Sequence, residues 1–292
     1  MSSSPDDGAH PPQPASASRG PALYVVATPI GNLEDISLRA LAVLKSVDFI
    51  ICEDTRRTLR LLQRYGIEKE LVASHRFNEE RSAGPILERL RSGRSAAYVT
   101  EGGTPAVSDP GARLVERARE AGIPVVPVPG VSAVTAAMSV AGWEGGFVFA
   151  GFVERKQEAR LAQIRTLSSL PWACVLFESP ERVRRTLADI AGILGDRPIL
   201  LAREMTKVFE QVLKAPAARI LQILPEDVKG EIVLALFPRG KDRGDVRTAG
   251  ADLGKILRAC REMIASGVKP SRAAALASSL AGIPKQTILK NL

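Results

Sequence analysis

The sequence predicts an α/β fold: a parallel-sheet domain, a second domain with a mixed sheet, and a small helical module at the carboxyl end. Three observations predict it. Short apolar runs alternate with segments of helical period from Leu23 onward, the texture changes past Gly151, and a basic, Gly-containing stretch, RGKDRGDVR at Arg239–Arg247, precedes a last run of helical spacing. The expected divisions are residues 1–20, 21–148, 149–238 and 239–292.

In the first domain Leu23–Ala27, Val47–Cys52, Ser95–Thr100 and Pro124–Val128 read as strands. They are apolar at nearly every position, as strands covered on both faces are, and so predict βα units and a parallel sheet. Helical patterns fall between them at Ser37–Lys45, Thr55–Tyr65, Asn78–Arg91 and Gly111–Ala121. Asn78 followed by Glu79 and Glu80 has the form of a helix start, a capping side chain ahead of an acidic first turn. In the second domain Ala173–Glu178, Pro198–Ala202, Val208–Leu213 and Glu231–Phe237 read as strands, with helices at Glu181–Leu194 and Pro216–Leu224. Three short helices are expected at the end: Asp252–Ala265, Ser271–Leu280 and Pro284–Leu292. Ser271 would cap the second, Gly282 would break before the third, and Pro284 suits a first helical turn.

Composition removes whole classes of function. No apolar run approaches the roughly 18 residues a bilayer span needs. The three cysteines, Cys52, Cys174 and Cys260, are far apart, which leaves neither a zinc ribbon nor a disulfide framework. With His10 and His75 as the only two histidines, multi-His metal sites are excluded, and a Ser-His-Asp triad would have to use His75. Residues 1–20 are rich in Ser, Pro and Ala and carry Asp6 and Asp7 where a signal peptide would be basic. They read as a disordered tail on a cytoplasmic protein.

Charge is unevenly placed. The chain is +8, and from Arg239 onward eleven Lys and Arg stand against four acids, so the rest is close to neutral. A small helical module with most of the net charge is the footprint of a polyanion partner; a basic but merely soluble module is the competing reading.

In a parallel sheet, ligands bind beyond the carboxyl ends of the strands. There the sequence places Thr28-Pro29-Ile30-Gly31-Asn32, Glu53-Asp54-Thr55-Arg56, the run from Glu101 to Gly111, and Pro129-Gly130-Val131-Ser132-Ala133. Such Gly-, Pro- and carboxylate-rich turns make a rigid, mostly neutral cradle, although any one of them taken singly is an ordinary tight turn. Neither G-x-G-x-x-G nor G-x-x-x-x-G-K-[ST] is present, which argues against dinucleotide and P-loop sites. An adenosyl cofactor with one fixed positive charge, S-adenosylmethionine, suits the loops, because its sulfonium favours carbonyls and carboxylates such as Glu101.

The motifs TPIGN, EDTR, GGTPAVSDPG, PGVSA, ESPER and RE-x-TK-x-x-E, in this order, resemble the tetrapyrrole-methylase-like (class III) S-adenosylmethionine methyltransferases. EDTR, His75-x-x-Asn78-Glu79 and Arg203-Glu204-Met205-Thr206-Lys207 resemble the branch that acts on small-subunit ribosomal RNA. The resemblance runs from about Leu23 to the carboxyl end. It implies two α/β domains of the tetrapyrrole methylase type, a homodimer, S-adenosylmethionine folded in a cleft between domains, and a helix-turn-helix-like RNA-binding extension. The implied activity is methylation of the ribose 2′-oxygen of a cytidine in the decoding region of 16S rRNA, with the rRNA or the small ribosomal subunit as partner and no DNA. It implies Ile30, Gly31, Gly103, Thr104, Pro105, Val107, Ser132 and Ala133 at the cofactor. Two departures stand out: Thr100-Glu101-Gly102-Gly103 replaces the usual Ser-Asp-Ala-Gly, and Phe177-Glu178-Ser179-Pro180-Glu181-Arg182 lacks the usual Tyr and His.

A ribose hydroxyl is a weak nucleophile, so the reaction needs alignment and a base. Glu53, Asp54, Glu101, Glu204 and Glu210 are candidates, as is Lys207 if neutral. Asp54 or Glu53 is favoured as base, with Arg56 and Lys207 positioning the RNA backbone. Plainer roles compete: Asp54 as a helix cap, Arg203, Glu204, Lys207 and Glu210 as a surface ion-pair ladder, His75 as a structural histidine, and Trp143 and Trp172 as packing. Two other functions remain open, a tetrapyrrole or other small-molecule methyltransferase on the same scaffold and a cofactor-sensing RNA-binding protein without turnover.

Overall fold

Side-chain alternation builds the first sheet. The structure, a computed structural model, describes residues 21–75, 78–238, 253–281 and 283–292. Strands β1 (Leu23–Val26), β2 (Phe49–Cys52), β3 (Glu70–Ala73), β4 (Ala96–Val99) and β5 (Val125–Val128) form a sheet of order β3-β2-β4-β1-β5 in which every pairing is parallel. Tyr24, Val26, Ile50, Cys52, Ala97 and Val99 face α1 (Leu38–Ser46) and α2 (Thr55–Arg64), where Ala40, Val43, Leu44 and Leu62 meet them. The intervening residues Leu23, Phe49, Ile51, Ala96 and Tyr98 pack against Ala83, Ile86, Leu87, Leu90, Leu114 and Ala118 of α3 (Glu79–Arg91) and α4 (Ala112–Glu120). Each large side chain buried this way contributes about 1.5–3 kcal/mol.

This layering creates a topological switch point. Adjacent strands β1 and β4 are followed by α1 and α4, which lie on opposite faces of the sheet. At such a switch point the loops diverge and leave a gap outside the carboxyl ends of the strands. α5 (Ala133–Ser139) follows β5.

The second sheet, of order β6-β7-β10-β8-β9, contains β6 (Phe147–Phe152), β7 (Ala173–Glu178), β8 (Pro198–Arg203), β9 (Gln211–Pro216) and β10 (Ile232–Leu236). It is mixed, since β7 runs parallel to β6 and antiparallel to β10. Helices α6 (Gln157–Ser168), α7 (Pro180–Leu194) and α8 (Ala217–Ile223) supply Ile164, Val183, Leu187, Ile190, Ala217 and Ile220 to a core with Cys174, Leu176, Leu201 and Leu234. The carboxyl end forms α9 (Leu253–Ala265), α10 (Pro270–Ala281) and α11 (Lys285–Asn291) around Cys260, Ala273, Ala274, Ile283 and Ile288. The chain divides into two compact units: residues up to Val140 with Ala202–Val212, and Ala141–Leu201 with the residues from Leu213 onward.

Three local expectations are corrected. The strand expected at Val208–Leu213 is Gln211–Pro216 instead, because Glu204 and Thr206 take positive φ and turn the chain before it can extend. Asn78 does not cap α3 with its side chain; its Oδ1 accepts from the His75 backbone N–H at 2.7 Å. Ser271 does not cap α10, which already begins at Pro270, and the Lys269 carbonyl accepts from the N–H groups of Arg272 and Ala273. The expected tail at 1–20, the linker at 239–247, Asp252 and the break at Gly282 lie outside the described residues.

One cap comes from a neighbouring helix. Gly111 precedes α4 with φ +120° and has no side chain to offer, so buried Glu79 Oε1 accepts from Arg113 N (3.1 Å) and Leu114 N (3.2 Å) instead. Losing an acceptor at a buried helix start costs about 1–3 kcal/mol. Glu79→Ala is therefore expected to lower unfolding stability in urea by that amount, with Glu79→Gln, which keeps an acceptor oxygen, recovering most of it. An unchanged midpoint in Glu79→Ala would contradict the assignment.

Candidate active site

The loops after β1 and β4 are tied together by backbone. Thr28 N donates to Gly103 O at 2.9 Å and Gly103 N to Thr28 O at 2.8 Å, an isolated antiparallel bridge beyond the ends of two parallel strands. Thr28 Oγ1 also donates to Thr100 O at 3.2 Å. Pro29 and Ile30 are thereby held against Gly102 and Gly103, and a Cβ on Gly102 would stand 3.0 Å from Pro29 O.

The β4 loop holds an uncommon shape. Ala106 and Ser108 have φ +67° and +63°, a region that costs a non-glycine residue about 1–2 kcal/mol. Ala106 N to Pro110 O (3.0 Å) and Val107 N to Thr104 O (3.3 Å) hold the turn, with Pro105 buried beneath and Val107 half-exposed. Strain of this kind collects where a surface is shaped for a ligand. Ser132 and Ala133 begin α5 and are half-buried in the loop after β5.

Carboxylates surround this rim. Glu53 follows β2, and its carboxyl is pushed up by burial first and then by the charges of Glu101 and Asp109, against the opposing influence of His75 and Arg57. Glu101 is ion-paired with Arg57. Asp54 is the N-cap of α2, its Oδ1 accepting from Arg56 N (2.7 Å) and Arg57 N (3.2 Å). Those two N–H groups hold its carboxyl below the usual range. Arg56 is exposed on the first turn of the same helix.

A second segment reaches the same rim. The turn after β8 contains Glu204 and Thr206, with φ +52° and +66°. Lys207 Nζ pairs with Glu204 Oε1 at 2.7 Å, and Glu210 Oε2 accepts from Thr206 N at 2.6 Å. These contacts knot a turn and do not form a surface ladder. Thr206 Oγ1 accepts from Asn32 N at 3.0 Å, which ties the turn to the β1 loop. A Cβ on Gly31 would stand 2.5 Å from Lys207 Cγ, 2.7 Å from Thr206 Oγ1 and 3.0 Å from Met205 O.

The sequence pattern did not single out Arg57, Asp109 or the Asn32–Thr206 contact. Arg57 lies one residue past the EDTR motif, and the contact spans 174 residues, so no local spacing could reveal it. The ESPER segment is a brace within the second unit: Glu178 pairs with Arg182 and accepts from Thr186 Oγ1 at 2.5 Å and from Ser179 N at 2.7 Å. Trp143 packs on Phe237 with ring centroids 5.5 Å apart.

The donor set at the rim fits an adenosyl sulfonium. Backbone groups of two tied loops, carboxylates at Glu53, Glu101 and Asp109, and the buried Thr100 Oγ1, which has no hydrogen-bond partner among the described residues, offer polar contacts suited to one positive charge. Among the described residues no group of His, Cys, Asp and Glu is arranged to hold a metal.

A two-domain α/β fold with its polar rim at the β1–β4 switch point is the architecture of a methylase class, and residues 22–221 match the family model for tetrapyrrole (corrin/porphyrin) methylases. The chain belongs to that family. Solved structures with the same fold include diphthine synthase (TM-score 0.59, 17% identity, 74% of this chain and 90% of that one) and cobalt precorrin-4 methyltransferase (0.56, 19%, 73% and 94%). A uroporphyrin-III C-methyltransferase from Thermus thermophilus, complexed with S-adenosylhomocysteine, matches at TM-score 0.55 and 20% identity over 73% of this chain and 96% of that one.

Within the family the chain is similar along most of its length to proteins named ribosomal RNA small subunit methyltransferase I. The protein of that name from Neisseria meningitidis serogroup B is 44% identical over 92% of each chain. The Escherichia coli O157:H7 protein is 39% identical over 95% of this chain and 96% of its own.

The Gly31 contact generates a test. Gly31→Ala must displace the backbone carbonyl of Met205 as well as two side chains, and overpacking of this kind costs about 1–3 kcal/mol. The variant is expected to lose stability by that amount in urea and to bind S-adenosylmethionine more weakly in calorimetry. Unchanged values in both would show that the β1 loop and the β8–β9 turn do not depend on each other.

Proposed function

We propose that the protein is an S-adenosylmethionine-dependent methyltransferase that methylates the ribose 2′-oxygen of a cytidine in the decoding region of 16S rRNA. It works on the rRNA or the small ribosomal subunit, as a cytoplasmic homodimer, and does not act on DNA. The observation that carries this reading is the Thr28–Gly103 bridge, which sets a carboxylate-lined rim at the switch point of a methylase fold. The similarity to ribosomal RNA methyltransferases favours RNA over a tetrapyrrole, and the homodimer rests on family resemblance. No described helix is long and apolar enough to cross a membrane.

The RNA reading draws support from the helical module. Arg258, Arg261, Lys269, Arg272, Lys285 and Lys290 are all exposed there, against Glu262 as the one acid from Leu253 onward. Such a surface suits phosphates, and a 2′-hydroxyl acceptor is a group that DNA lacks.

S-adenosylmethionine supplies an electrophilic methyl group, held at the rim by Ile30, Gly31, Glu101, Gly103, Thr104, Pro105, Val107, Ser132 and Ala133. The protein has to orient the ribose and accept its proton. Glu53 is the base in this reading, because its carboxyl is the one whose proton affinity is raised by burial and by two neighbouring carboxylates. Asp54 is occupied as a helix cap, which suits it to hold the segment in place. Arg56 and Lys207 would face the RNA backbone as cations.

The direct test maps 2′-O-methylation on small-subunit rRNA in cells with and without the gene, then asks whether purified protein and S-adenosylmethionine restore the mark. Restoration at one cytidine is expected; an unchanged map would overturn the reading. Glu53→Gln is expected to slow single-turnover methylation about 10²–10⁴-fold, and a wild-type rate would remove Glu53 from the chemistry.

The pH profile carries a further sign. A base must be deprotonated, so the wild-type rate falls as pH drops through the raised value of Glu53. Glu101→Gln removes a like charge and releases Arg57, both of which lower the Glu53 value. The acidic limb of the profile is expected to move to lower pH in that variant, and no movement would contradict the electrostatic coupling.

A further inference from the structure

Phe209 is an aromatic side chain that the described structure leaves without packing. It is 74% exposed, more than any other described aromatic residue, and its neighbour Val208 is 93% exposed. Scattered apolar residues on a surface need no explanation, but this one is held on a firmly anchored turn. Glu204 and Thr206 carry positive φ on the approach, Glu210 bonds back to Thr206 N, and Thr206 Oγ1 accepts from Asn32 N at 3.0 Å. Two residues of chain span at most about 7 Å, so the Phe209 backbone lies within that distance of Lys207, whose Cγ would stand 2.5 Å from a Cβ on Gly31.

We propose that Phe209 is a stacking platform for a nucleobase of the substrate RNA next to the ribose that is methylated. The inference rests on the reading of the β1 loop as part of the cofactor rim. Three features favour a base as the occupant. The ring sits on the same tied turn as Lys207, a cation two residues away that can take the adjoining phosphate. The turn is fixed in advance, so ordering it costs little on binding. The chain's relatives are named for ribosomal RNA, a substrate that offers unstacked bases. An unstacked base on an aromatic ring is the usual way in which proteins hold single-stranded RNA, and the stack tolerates any base. The cytidine's identity would then be read elsewhere.

The test compares wild type, Phe209→Ala and Phe209→Trp, with binding to small ribosomal subunits measured by filter retention and cofactor binding measured by calorimetry. Phe209→Ala is expected to weaken subunit binding about 5- to 150-fold and to leave S-adenosylmethionine binding unchanged. The salt slope of binding should also be unchanged, because a stack involves no phosphate. Phe209→Trp is expected to restore binding, and its extra indole fluorescence over wild type should be quenched when subunits are added. Wild-type affinity in Phe209→Ala would overturn the proposal. So would a fall in the sedimentation mass of that variant, which would assign the ring to a contact between copies of the chain. Because binding is read separately from turnover, intact binding by wild type without methyl transfer would defeat the proposed activity alone.

Discussion

Two backbone hydrogen bonds between Thr28 and Gly103 are the constraint from which the rest of the rim follows. Parallel strands supply no hairpin to join their carboxyl ends, so the loops after β1 and β4 would otherwise part at the switch point, where their following helices go to opposite faces. The bridge closes that gap with main chain. It favours glycine at 102 for close approach to Pro29 O and at 103 for a φ of +84°, and it leaves Thr100 and the carboxylates of neighbouring loops around one small region.

The strain needed to hold this surface is offset by polar contacts that are local and well satisfied. Ala106 and Ser108 are held by the turn from Thr104 to Pro110, and Glu204 and Thr206 by Lys207 and Glu210. Each backbone outlier costs about 1–2 kcal/mol, so each such segment needs its own bonds. The electrostatic balance is similar. Glu53 gains proton affinity from burial and from Glu101 and Asp109, while Arg57, ion-paired with Glu101, limits the rise.

Much of the fold was legible because periodicity is a local signal. Ala173–Glu178 is a strand with the ends that the apolar run indicates, and β1, β2, β4 and β5 lie within their expected runs. Glu70–Ala73 is harder to read because a four-residue edge strand with a partly exposed pattern offers an apolar run of only three residues. Val208–Leu213 misled because a Val-Phe pair has strand composition, whereas the positive φ at Glu204 and Thr206 has no sequence mark without glycine. At the site, the strand-end loops and Glu53 were readable from their composition and position. The choice between Glu53 and Asp54 was not, since both stand in one motif and only the geometry shows which carboxylate caps the helix. The Arg57–Glu101 pair and the Asn32–Thr206 contact are tertiary and lay beyond any spacing argument.

The central claim is that the two bridged loops hold the methyl donor. Crystals of the protein grown with S-adenosylhomocysteine test it most directly. The account predicts difference density lying against Ile30, Gly31 and Gly103, with the sulfur on the side of Glu101 and Glu53. A ligand bound well away from both loops would contradict it.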